Sequence, residues 1–270
     1  MTSIKTKGVK WFSTVFIFMF VLSGCGESEE LDPIGNSENN SEYVANEDEV
    51  AFEQLISDID MNDSLATANS LFYTREDGSS MEVALFLDEK NEAVKMIEKF
   101  TTGSSQSVGS RTFYLKDGKK IASRETFESG EGANAHFIER VSYYDSEEKP
   151  IATKQRSAPY EEELELESYV VTEKSDCSMK RTLDVLNQEE EFATTFRGFV
   201  EEDPYLYIIV GEDDVKGYCS SLVVQYRTAT IQKLQTHEKE MIGTPLIIEF
   251  ETFSGEQGYE YQILLDAEIR

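Results

Sequence analysis

The stretch Arg111–Phe127, RTFYLKDGKKIASRETF, decides how this chain folds. Two β-rich runs meet at Asp117-Gly118, and a two-residue connection of that kind needs positive φ at both positions. Asp-Gly supplies this at low cost, so the segment predicts a hairpin of two antiparallel strands.

The same grammar repeats outward from this hairpin. Asp77-Gly78 precedes an alternating run with Met81, Val83, Leu85 and Leu87 on one face. The polar turn Asp88-Glu89-Lys90-Asn91 leads to a second, carrying Val94, Met96 and Phe100. Ser146–Lys149 separates ERVSYYD from PIATKQR. Seven consecutive antiparallel strands are expected near 67–76, 81–87, 92–101, 110–116, 119–127, 136–145 and 149–156. Ahead of them Val50, Phe52, Leu55, Ile56 and Ile59 recur at helical spacing over 48–61, which places Asp48, Glu49, Glu53, Asp58 and Asp60 on an acidic outer face. The helix is expected to cover the meander's apolar face, making 48–158 one unit. FYLKDGKKIASRE resembles the hairpins of MORN-like β-meander proteins, a likeness that implies no functional residue.

Ala158-Pro159 and the acidic run EEELELE open an expected linker over 159–189. Beyond it FATTFRGFVEE, YLYIIVGE and YCSSLVVQYR read as three strands. Ile231, Leu234, Met241 and Ile242 then mark a helix over 228–242, stopped by Gly243-Thr244-Pro245, and LIIEFETF and YEYQILLDAEI complete a hairpin. Three strands, a helix and two strands over 190–270 resemble the OB-fold, which implies a five-stranded barrel with one helix. The fold class expected for the whole chain is mainly β (α+β).

The N-terminus fixes location. Lys5, Lys7 and Lys10 precede an apolar run from Trp11 to Leu22, too short to span about 30 Å of hydrocarbon, so 1–24 reads as a signal peptide. Leu22-Ser23-Gly24-Cys25 resembles the lipobox of bacterial lipoproteins, which implies acylation of Cys25. Several acyl chains make a durable anchor at about 0.8 kcal/mol per buried methylene. Between Gly26 and Thr74 every charged residue is Asp or Glu, and 25–47 reads as a disordered, self-repelling tether on the order of 70 Å long. Glu27, Glu29 and Glu30 resemble acidic export signals of surface lipoproteins, which points to the outer membrane.

A formal charge of -28 over 270 residues repels phosphate backbones and anionic headgroups, arguing against nucleic acid as a partner. Beyond Cys25 two cysteines remain, Cys177 and Cys219; in an oxidising compartment they form either a disulfide or two buried thiols. His237 and Glu240 share a helix face without a third ligand, so no metal is expected. Asp58–Asp63 begins like a calcium loop but has Asp63 where glycine is needed and Asn69 where glutamate is needed. Gly130–Ala135 mimics part of a dinucleotide fingerprint yet joins two strands. Glu212, Asp213 and Asp214 read as a solvated turn. No G-x-S-x-G elbow or nominable carboxylate pair occurs, so neither a catalytic residue nor a cofactor is assigned.

These readings converge on a non-enzymatic lipoprotein, anchored through Cys25, that binds an envelope protein or supports an envelope assembly. Two alternatives stand beside it: a LolA-like carrier holding an amphiphile in the curved meander, and a hydrolase.

Overall fold

A computed structural model describes residues 47–270 apart from 104–106, 131–134, 213, 215 and 255–259. Cys25 and the segments read as signal peptide and tether, up to residue 46, lie outside the described residues, as do Asp213 and most of the Gly130–Ala135 loop.

Helix α1 (Glu47–Asp60) leads into β1 (Ala66–Asn69), β2 (Tyr73–Thr74), β3 (Ser80–Leu87), β4 (Ala93–Thr102), β5 (Ser107–Lys116), β6 (Lys119–Ser129), β7 (His136–Tyr144), β8 (Pro150–Ala158) and β9 (Val170–Val171). There follow α2 (Lys180–Asn187), β10 (Thr195–Glu202), β11 (Tyr205–Gly211), β12 (Cys219–Val224), α3 (Ala229–Thr236), α4 (Glu238–Met241), β13 (Leu246–Ser254) and β14 (Glu260–Ile269). The protein is mainly β, as its turn chemistry dictates. Asp117 and Gly118 take φ of 52° and 74°, and the β5–β6 ladder closes at Lys116↔Lys119. In the β3–β4 and β7–β8 turns, Asp88 and Asp145 each accept two backbone N–H bonds, while Asn91 and Glu148 adopt positive φ.

From β3 to β8 each strand pairs with the next, antiparallel throughout. The sheet is continuous with the C-terminal strands through β12, which meets β2 at Cys219↔Thr74 and runs parallel to β14 at Val223↔Ile263. One apolar core joins Met81, Met96 and Phe113 of the meander to Phe196, Ile208, Leu222 and Leu264, with Val185 of α2 and Ile231 and Leu234 of α3 buried among them. Residues 159–189, read as a linker, thus include a helix whose apolar side chain is part of the core.

The closed barrel expected over 190–270 is corrected to an open sheet. Strand order β10-β11-β12-β14-β13 is present, but β13 returns to β10 only through the single bridge Thr195↔Pro245. Further along β13 the Gln188 side-chain amide stands where a neighbouring strand would be. Its Nε2 donates to Ile248 O at 3.2 Å, and its Oε1 accepts from Ile248 N at 3.4 Å. A side chain imitates one peptide unit but cannot continue a ladder.

Candidate functional site

Alternation along a strand sends every second side chain to each face, and in the meander both faces are covered. On the α2 side the register aligns Glu98↔Arg111↔Glu125↔Arg140↔Gln155 across β4 to β8. Arg111 donates to Glu98 Oε1 at 2.7 Å and to Glu125 Oε1 at 3.1 Å, and Arg140 donates to Gln155 at 3.4 Å. Glu98 is fully buried, and its second oxygen accepts from Thr182 of α2 at 2.6 Å. The row is a ladder of alternating charge, each rung supplied by the neighbouring strand.

Cys177 lies beside this ladder. Burial, reinforced by the Glu125 carboxylate, pushes its thiol up to about 12. Cys219 Sγ instead contacts Thr74 O at 3.5 Å. Both cysteines are free thiols, so the bridge considered from their even number is not formed. Each sulfur packs against a different part of the sheet.

The other face carries a second polar layer beneath α1: of the acids expected on the helix's outer face Glu49 is buried, whereas Glu53, Asp58 and Asp60 are exposed, Glu53 and Asp60 reaching back to the sheet from its rim. Glu53 accepts from Tyr143 and, at 2.5 Å, from Lys154; Asp60 accepts from Tyr114 at 2.9 Å and Lys95 at 3.2 Å; Glu49 is buried. Burial alone would raise the Glu53 carboxyl, but the Lys154 and Tyr143 hydrogen bonds outweigh it and leave the group below its ordinary value. Phe52 stacks on Tyr143 at 6.2 Å. Glu139 binds Arg156 at 2.7 Å and also accepts from Tyr169.

An open groove of about 520 Å³ runs along α2, lined by Met179, Leu183, Asp184 and Glu189. At its floor the buried Lys120 ammonium donates to Asp176 at 2.7 Å and to Cys177 O at 2.5 Å, and sits 3.8 Å from the Tyr144 ring centroid. Two of its N–H bonds are thus taken up by Asp176 and the Cys177 carbonyl, so the ammonium is already engaged by the protein.

The other positions weighed from sequence fall on the surface. His237 and Glu240 form an exposed pair at 3.3 Å, Asp58–Asp63 ends α1, and Asp214 caps a turn through Lys216 N. Among the described residues no three potential metal ligands converge. The sequence reading followed the apolar positions of these strands and singled out none of Glu98, Arg111, Glu125 and Lys120. The signal was faint but present, in opposite charges recurring at paired register positions. Comparison with protein families, curated proteins and solved structures gives no match.

Proposed function

We propose that this chain is a lipid-anchored envelope protein, tethered through Cys25, whose β-sheet serves as a non-enzymatic protein-binding or scaffolding module. The observation that carries the reading is the mutual engagement of the ionisable groups on the two sheet faces and the helices that cover them. Glu98, Glu125, Glu139, Glu53, Asp60 and Lys120 are each bonded to side chains or backbone of the neighbouring strand, helix or loop. Charges used in this way fix the covering helices to the sheet and favour a rigid platform. The tyrosines and Phe52 fill the space between α1 and the meander with the protein's own side chains, which favours a platform over a carrier.

The test is acyl-chain labelling of the full chain and its Cys25→Ser variant in a host envelope, with mass spectrometry of co-purifying proteins and extractable lipids. The expected result is label and membrane association that disappear in the variant, together with a stoichiometric protein partner. A stoichiometric bound lipid would replace this reading with the carrier. An unlabelled Cys25 would overturn the anchoring.

A further inference from the structure

The sheet face under α1 continues past the helix. Register pairing carries it from Ser80 through Thr74 to Cys219, and so to the outward side chains of β12, β11, β10, β14 and β13. On this C-terminal half no helix among the described residues covers it. One row runs Val200↔Tyr207↔Val223↔Ile263; Val223 and Ile263 are buried at its centre, but Val200 is 50 % exposed. Around that centre Phe253 and Tyr261 stack at 6.0 Å with exposures of 36 % and 44 %, and Tyr205 lies 6.3 Å from Tyr207 and is 54 % exposed. Such a contiguous apolar and aromatic surface on an otherwise highly charged protein marks a contact face.

We infer that this vacant half seats a cationic amphipathic segment of a partner protein. The inference rests on the protein-binding reading above and specifies the partner's chemistry. Its template is the occupied half of the same face. There α1 lays Phe52 on Tyr143 and pairs its acids with sheet cations, Glu53 with Lys154 and Asp60 with Lys95. On the vacant half the sheet's own charge is reversed. Its charged side chains are mostly acids, with Glu202, Glu249 and Glu268 exposed and Asp266 beside them; the cation of β10, Arg197 at the bulge, is turned to the Asp214 carbonyl. The complementary element therefore brings apolar side chains to Tyr261 and Phe253, and Lys or Arg to the acidic rim. A second copy does not fit, because a two-fold contact would oppose these carboxylates to carboxylates on a chain of charge -28. Anionic headgroups meet the same repulsion.

The test places a photo-crosslinker, p-benzoylphenylalanine, at Tyr261 in the full lipidated protein within its own envelope. A control places it at Leu183, which is 40 % exposed in the α2 groove. The expected product is a Tyr261-dependent adduct whose sequenced peptide is amphipathic and rich in Lys or Arg. Its yield should fall about tenfold in the E249K/E268K double variant, since like charge then faces the partner. Thermal unfolding of that variant, unchanged because both sites are exposed, confirms that folding is intact. An adduct to a second copy, to lipid or to an acidic segment overturns the inference, as does a yield at Tyr261 no higher than at Leu183. A protein adduct through Leu183 alone overturns this face and leaves the protein-binding reading standing. Loss of every protein adduct at both positions removes both.

Discussion

Thr182 of α2 donates a 2.6 Å hydrogen bond to Glu98 of β4, and both residues are fully buried. The contact ties α2, which lies between the two expected units, to the charge ladder of the meander. It fixes α2 at the same time as it satisfies a carboxylate that water does not reach.

Thr182→Val keeps the shape and removes the donor. Glu98 then retains Arg111 but has one oxygen without a partner, which costs about 1–3 kcal/mol. Urea denaturation should show a lower midpoint with an unchanged slope. An unaltered midpoint would mean that the bond does not form.

Glu53 makes stability depend on acid. Its carboxyl is depressed in the folded protein, so its contribution is present above the ordinary unfolded value of 4.5 and disappears as pH falls through the lower folded value. Thermal unfolding between pH 7 and pH 3 should therefore show a shallower acid loss for Glu53→Gln than for the parent. Parallel profiles would contradict the depressed value.

Cys177 should resist alkylation. Its thiol is buried and pushed up to about 12, so at pH 8 almost none is thiolate. Iodoacetamide labelling followed by peptide mass spectrometry should find Cys177 about tenfold or more slower in the native protein than in urea. Reduction should leave the mobility of the described portion unchanged, because Cys177 and Cys219 are not bridged.

The shared core predicts coupled unfolding. Leu234 of α3 and Met96 of β4 are buried in one cluster, and truncating either to alanine should cost about 2–5 kcal/mol. Calorimetry should show both variants shifting the same single transition. Two transitions, each answering to one substitution, would show that the halves unfold separately.

Asp117-Gly118, the Asp88 and Asp145 turns and the run of alternating residues between them were legible because a turn is selected by the φ preferences of two or three neighbours. Five of the seven meander strands lie within a few residues of their expected limits for that reason; the first is split into β1 and β2, and β5 starts earlier, at Ser107. Helix α2 was not legible. It spans eight residues, and its apolar contribution to the core is the adjacent pair Val185 and Leu186, too little to establish a period.

The chain alone determined what local chemistry decides: where strands turn, where the two strongly periodic helical segments lie, and the sign of the charge. Tertiary structure decided which charges go inside, that β13 meets Gln188 instead of closing a barrel, that the two thiols stay apart, and which half of one sheet face α1 covers. Those outcomes depend on partners distant in sequence, as Glu53 and Lys154 are, and no residue's own preference encodes who its distant neighbour will be.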